Sequence, residues 1–413
     1  MILRFDAAMA ALGPFEKSPR LAAGVSGGAD SMALARLADK WARARGGSLL
    51  AQVVDHGLRE ESGAEAALVV DRLGSIGIAA RILGVTGLGH GPALAARARE
   101  ARYRTLTHAC AQAGILHLLL GHHAADQAET VMIRVLGGSG GRGLAGMPAL
   151  TETCSLRILR PLLTIPPAWL RDYLTRAGIA WVEDPSNQDM RALRPRLRRL
   201  RADLGGDGEG TQVLVKAAGE AGRRRMANDA AIAGVLADRV TLRPEGFALL
   251  SPGPIAPEAL AELLRVIAGA AFAPGMDQIA RLAANPRAET LWGVRLSPAG
   301  HMGDGLLLVR EEAAIGPSTP AEIGTIWDGR FRLHIARPLP DGTMIAALGA
   351  DAARFRRRSD LPAAVLRAIP ALRRGNILVA VPHLGYPDPV AFQGTHLVFS
   401  PPRPLATTAF LPA

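Results

Sequence analysis

RLAAGVSGGADS, Arg20 to Ser31, is the stretch on which the fold turns. Its first six residues run almost wholly apolar or small, the pattern of a strand covered on both faces rather than on one. Two glycines then allow a sharp turn, and Met32, Leu34, Leu37, Ala38 and Trp41 recur at helical spacing. A buried strand, a glycine turn and a helix form one half of a βαβ unit.

The alternation continues outward. Ser48 to Val54 reads as a second buried strand, and Ser62 with Glu65 three residues on reads as a capping box opening a helix. Ile78 to Val85 is a third strand. Pro92 suits the first turn of a long helix to about Gly114, and Ile115 to Leu120 is a fourth strand. Strand and helix in alternation predict an α/β fold, a parallel sheet with helices on both faces. Ligands of such sheets bind beyond the carboxyl ends of the strands, which directs attention to the residues after Val25, Val54 and Leu120.

Past Arg201 the character changes. LGGDGEG (204–210) reads as a linker, followed by helical segments (211–235, 257–272, 276–285) and a hairpin over 290–311. A second break at 313–324 leads into a Pro- and Gly-rich tail with short strand-like runs. The predicted organisation is three domains, 1–205, a mostly helical 211–313, and a small mixed 320–413, so that helical and α+β modules follow the α/β domain.

The 413 residues carry 48 Lys and Arg against 37 Asp and Glu, a formal charge of +11, and only three of the basic residues are lysine. Biased codons account for that ratio, but not for clusters at 191–201, 223–225 and 354–358, which offer a track for a polyanion. Only 4% of residues are aromatic, so stacking on many rings is not the binding mode. No apolar run reaches membrane-spanning length and the start lacks a signal-peptide layout, so a cytoplasmic protein is expected. Cys110 and Cys154 read as buried small residues, too few for a disulfide framework or a cluster.

SGGADS places backbone N–H groups at a helix start, a cradle for phosphate oxygens, with Ser26 and Ser31 adding hydroxyls. It is not a Walker loop, because no GxxxxGK[ST] is present. Asp30 would repel bare phosphate, and its presence points to Mg²⁺ bridging it to the phosphates. A second cluster, GHHAADQAET (121–130), leaves the fourth strand. His122, Asp126 and Glu129 are spaced four and three apart, one helical face directed at the same crevice.

SGGADS resembles the pyrophosphate loop of the N-type ATP pyrophosphatases, whose fold is adenine nucleotide alpha hydrolase-like. The strings VDHGLR (54–59), AREARYRTL (98–106), GHHAADQAET, GGSGGRGLAGM (137–147), RPLL (160–163) and WVEDPSNQD (181–189), in this order, make the first two hundred residues resemble tRNA(Ile)-lysidine synthase. The resemblance implies a ligase that joins free L-lysine to C2 of the wobble cytidine of the CAU-anticodon isoleucine tRNA. It further implies an adenylated tRNA intermediate, with release of pyrophosphate and AMP. On this reading Ser26, Gly27, Gly28, Ala29, Asp30, Ser31, Asp55 and His56 hold the nucleotide and Asp30 the metal. Asp126 and Glu129 take the lysine ammonium, His122 or an acid serves as base, and Arg194 and Arg198 neutralise phosphate. The later domains are expected to position the tRNA. Ala125, Gly137 and Pro195 depart from the family pattern. The oligomeric state is left open, a homodimer included. A sulfur-transferring relative, a small-molecule amidating relative and a non-catalytic RNA binder are the alternatives.

Overall fold

The computed structural model describes residues 1–57, 61–85, 91, 94–153, 155–183, 193–203, 205–386, 392–406 and 410–412. Pro92, Cys154, Arg191 and most of the WVEDPSNQD string lie outside the described residues. The chain divides into two compact units, Met1–Ala227 with Thr408–Ala413, and Asn228–Thr407.

The first unit begins with α1 (Ile2–Ala11) and then alternates: β1 (Arg20–Val25), α2 (Ala29–Arg43), β2 (Ser48–Asp55), α3 (Ser62–Ser75), β3 (Ala79–Gly84), α4 (Leu94–Gln112), β4 (His117–Leu120) and α5 (Ala124–Leu136). A one-turn α6 (Gly141–Leu144), β5 (Leu150–Glu152), β6 (Arg157–Leu159), α7 (Pro167–Arg176) and α8 (Leu193–Arg201) follow. The sheet order is β3-β2-β1-β4-β6-β5, parallel except for β5, which runs antiparallel to β6. The expected parallel sheet is therefore present.

Side chains of β1 alternate between two cores, as the two-residue period of a strand requires. Leu21, Ala23 and Val25 enter a cluster with Met32, Leu34 and Trp41 of α2, Val69 of α3 and Leu170 of α7. Ala22 enters a second cluster with Leu106 and Cys110 of α4 and Leu118 and Leu120 of β4. Each large aliphatic side chain so enclosed contributes about 1.5–3 kcal/mol. Because β2 lies on one side of β1 and β4 on the other, the order in which strands are added reverses at β1/β4. That reversal opens a crevice at their carboxyl ends.

One local expectation is corrected. Ser62 is the first residue inside α3, not its cap, and no side chain caps that helix start. Its hydroxyl instead bonds Asp55 at the end of β2.

α9 (Glu209–Arg239) begins inside the segment read as a linker. In the second unit β7 (Val240–Arg243), β8 (Phe247–Leu250), β9 (Glu289–Leu291), β10 (Val294–Pro298) and β11 (Leu306–Arg310) form an antiparallel sheet in the order β7-β8-β11-β10-β9. It shares a core with α10 (Pro257–Ala268) and α11 (Met276–Ala284). The segment read as mostly helical thus carries a sheet as well. Strands of three to five residues give too short a periodic signal to register beside long helices. Residues 319–399 add a four-stranded and a three-stranded sheet. There Arg330 is buried and paired with Asp328 at 2.7 Å, and in the same unit Arg265 is buried and paired with Glu262 at 2.6 Å. These arginines are structural, whereas Arg356, Arg357 and Arg358 are exposed.

Candidate active site

β1 ends at Val25 and the SGGADS loop turns directly into α2. Gly27 has φ +86°, and a Cβ there would stand 2.4 Å from Val69 Cγ2, so glycine is required twice over. Its carbonyl accepts from the Val182 N–H at 2.8 Å. Ser31 closes the loop from inside. Its hydroxyl donates to the Gly28 carbonyl at 3.0 Å, accepts from the Ser26 N–H at 3.1 Å, and lies 3.3 Å from the Ser26 hydroxyl. Gly28 caps α2 without a side chain, leaving the first-turn N–H groups of Ala29, Asp30 and Ser31 as donors toward a ligand.

The chain after β4 passes close by, because a Cβ on Gly121 would lie 3.4 Å from the Ser31 backbone. Two histidines follow, and they part company. His123 is the cap of α5: its Nδ1 accepts from the Asp126 N–H while the His123 N–H donates to Asp126 Oδ2 at 3.2 Å. The far side of the ring, Nε2, lies 3.4 Å from Asp30 Oδ2 and 3.5 Å from Asp126 Oδ2. Burial alone would favour the neutral ring, but the charges of Asp126 and Asp30 outweigh it and hold His123 above its ordinary pKa. Asp126 is held below its usual value: burial opposes this, but the charge of His123, the hydrogen bond from its backbone N–H and the charge of Arg198 prevail.

Asp126 and Glu129 do share a face of α5, as their spacing predicts, and that face is met by α8. Arg198 Nε donates to Glu129 Oε1 at 2.5 Å. Its Nη2 lies 3.5 Å from Glu129 Oε2 and 3.4 Å from Asp126 Oδ1. Arg194 Nη1 stands 3.7 Å from Asp126 Oδ1. Glu129 is completely buried, and Asp126 nearly so. Both arginines, read from the sequence as neutralising phosphate, here face carboxylates. The partners are some seventy residues apart in the chain, beyond any local pattern.

His122 lies instead in a cavity of about 210 Å³ with His56, Ala98, Arg99, Arg102 and Tyr103. Burial, reinforced by Arg160, Arg99 and Arg102 against the pull of Asp126, lowers its pKa to about 3, so the ring is neutral. His56 is likewise lowered, by burial and then by Arg102. Both rings carry a buried Nδ1 without a hydrogen-bond partner among the described residues. Asp55 supports the turn: Ser62 and the Gly57 N–H, the latter at 2.9 Å, donate to it and hold its carboxyl low.

Three site residues escaped the sequence reading. His123 has a legible signal in hindsight, a cap position three residues before an acid. Arg99 and Arg102 sit with Ala98 and Tyr103 on one face of α4, a one-turn spacing visible in AREARYRTL. Among the described residues no group of three or more His, Cys, Asp or Glu side chains is arranged to hold a metal, and no helix is long and apolar enough to cross a membrane.

A family model described as a PP-loop domain matches residues 3–202. The tRNA(Ile)-lysidine synthase of Mesorhizobium japonicum is 37% identical over 385 residues, 89% of this chain and 84% of its own length. That of Ruegeria pomeroyi is 35% identical over 387 residues, 89% of each chain. That of a Bradyrhizobium species is 44% identical over 216 residues, 52% of this chain and 60% of its own. With likeness extending through both units and the ATP-binding PP-loop domain at the site just described, the chain belongs to the tRNA(Ile)-lysidine synthase family and is a tRNA-modifying ligase.

Proposed function

We propose that the protein joins the ε-amine of free L-lysine to C2 of the wobble cytidine in a CAU-anticodon isoleucine tRNA, using ATP. The observation that carries this reading is a buried pair of carboxylates, Asp126 and Glu129, beside a phosphate loop. A protein that only grips RNA gains nothing from acids in its cleft, whereas a cationic amine substrate requires them.

The cytidine O2 attacks the α-phosphate of ATP, and the bond to the β-phosphate breaks, releasing pyrophosphate. The loop N–H groups at the start of α2 receive the negative charge of that leaving group. Asp30 Oδ1 is buried and without a hydrogen-bond partner among the described residues, which fits a carboxylate oxygen kept for Mg²⁺. The ion, held by Asp30, would supply charge neutralisation there. Arg99 and Arg102 line the neighbouring cavity and suit an anionic group of the nucleotide or the RNA.

The lysine nitrogen then attacks C2, the C2–O bond breaks, and AMP leaves carrying that oxygen. An ammonium of pKa about 10.4 is unprotonated in only about one molecule in a thousand at neutral pH, so the site must bind the cation and take its proton. Asp126 and Glu129 bind it. One proton leaves the bound ammonium to free the lone pair that attacks, and a second leaves as the C–N bond forms and the nitrogen turns acidic; a neighbouring carboxylate accepts it. His122, neutral with a pKa of about 3, serves better as a hydrogen-bond acceptor than as a proton store. A sulfur-carrying role for Cys110 is disfavoured, because burial pushes its thiol up to about 11.

The test incubates the protein with ATP, Mg²⁺, radiolabelled lysine and a CAU-anticodon isoleucine tRNA transcript. Label in the RNA supports the reading. Pyrophosphate release driven by a different acceptor, with no label in the RNA, overturns it.

A further inference from the structure

The carboxylates assigned to the lysine ammonium already hold a cation. The Arg198 guanidinium spans both, with Nε 2.5 Å from Glu129 Oε1 and Nη2 3.4 Å from Asp126 Oδ1. Resting on the reading that these acids bind the amine, we propose that Arg198 is a placeholder for the substrate ammonium. It occupies Asp126 and Glu129 until a phosphate-bearing substrate draws it away, so that lysine enters only afterwards.

The burial gradient has the direction this requires. The Glu129 side chain is 0% exposed and that of Asp126 11%, whereas Arg198 is 31% exposed and Arg194 38%. The arginines therefore lie on the solvent side of the acids and leave outward without crossing the core. A fully buried carboxylate cannot be left bare between turnovers, because an uncompensated charge at such a site is strongly destabilising. Nor is a carboxylate oxygen left for a second cation: among the described residues both Glu129 oxygens face Arg198, Asp126 Oδ1 faces Arg198 and Arg194, and Asp126 Oδ2 takes the His123 N–H. Exchange, not addition, is the only route for lysine.

α8 carries no acid that could hold Arg198 once it moves, since residues 193–201 read LRPRLRRLR. Phosphate is the attractive destination, because the guanidinium fork matches phosphate oxygens in a paired geometry that an ammonium does not. The phosphate loop is at hand: His123 spans from Asp126 to Asp30, on the first turn of α2. Phosphates of ATP and of the tRNA backbone share this chemistry, and the experiment separates them.

Binding of radiolabelled L-lysine to the full-length protein is measured by equilibrium dialysis under four conditions. These are protein alone, protein with Mg²⁺ and α,β-methylene-ATP, protein with CAU-anticodon tRNA, and protein with both. The expected result is at least tenfold tighter lysine binding in one or more of the phosphate-bearing conditions, and the condition that suffices identifies the source. Arg198→Ala should bind lysine without nucleotide or tRNA, at least tenfold tighter than the wild type alone. Arg198→Lys, which keeps a cation on the acids, should stay nucleotide- or tRNA-dependent. Equal lysine affinity of the wild type in all four conditions, with label still entering tRNA under turnover, overturns the placeholder and leaves the proposed function standing. Absence of lysine binding in every condition, with no label entering tRNA, overturns the assignment of the acids and the placeholder with it. The wild-type comparison decides even if Arg198→Ala fails to fold.

Discussion

His123 reaches Asp30 across the gap between two strand ends, its Nε2 3.4 Å from Asp30 Oδ2, while its Nδ1 caps the helix that carries Asp126. One buried ring thus fixes the acid of the SGGADS loop relative to the acid on α5 proposed to bind the amine. Asparagine at position 123 is a good helix cap but too short to span to Asp30. His123→Asn is expected to keep the fold and to slow tRNA-dependent pyrophosphate release about ten- to a hundredfold, the usual cost of losing a group that orients a metal-binding side chain. His123→Ala loses the cap as well, at about 1 kcal/mol of stability. Steady-state pyrophosphate assays and thermal melts check both. Wild-type rates in His123→Asn would show that Asp30 needs no such support.

The loop itself is tested at Gly27. An alanine there meets Val69 Cγ2 at 2.4 Å and must also hold φ +86°. Two separable costs follow: a steric clash, and a backbone penalty of about 1–2 kcal/mol. Gly27→Ala should therefore lose pyrophosphate release. Adding Val69→Ala, which removes the clash but not the backbone penalty, should restore only part of it. Full recovery in the double variant would mean that the left-handed turn is immaterial to the cradle.

The parallel sheet and its crevice were legible because β1, β2 and β4 are short apolar runs at regular intervals, each followed by turn residues and a helical period. What failed to show was mostly nonlocal or junctional. A helical count from His122 aligned it with Asp126 and Glu129, but α5 begins at Ala124 with His123 as its cap. His122 therefore lies before the helical repeat, and the 3.6-residue period says nothing about its direction. Arg198 looked like one member of a basic run, and only the packing of α8 on α5 reveals that it faces buried acids. Arg265 and Arg330 counted toward a surface surplus but are enclosed and paired.

The two acids of α5 differ in what else they hold. Among the described residues Glu129 pairs with Arg198 alone, whereas Asp126 also fastens His123. Glu129→Gln should raise the KM for lysine at least tenfold while leaving formation of adenylated tRNA largely intact. Asp126→Asn should weaken lysine use likewise, with some loss of adenylation passed on through His123. Glu129→Ala, which leaves Arg198 with Asp126 alone of the two acids, should cost about 1.5–3 kcal/mol in stability, the worth of a hydrogen bond to a charged group. Pyrophosphate release and lysine incorporation, measured separately on each variant, read out the split. Equal loss of both steps in Glu129→Gln would remove Glu129 from the amine site.

His122 makes stability depend on pH in a calculable direction. Its folded pKa is about 3, against about 6.5 for an unfolded histidine. Between these values the unfolded chain binds a proton at this ring that the folded protein does not. The contribution of His122 is therefore complete above about pH 6.5 and declines as pH falls, by up to about 1.4 kcal/mol per pH unit. His56, His117 and His383 are lowered as well and add slopes of the same sign, while the raised His123 opposes them. The informative quantity is accordingly the difference between the wild type and His122→Gln, followed by urea denaturation from pH 7.5 to pH 5. The wild type should lose stability more steeply on acidification, by close to one proton's worth of slope below pH 6. Matching slopes would mean that Asp126 outweighs burial and keeps the ring titrating near its ordinary value, which would return His122 to the list of candidate bases.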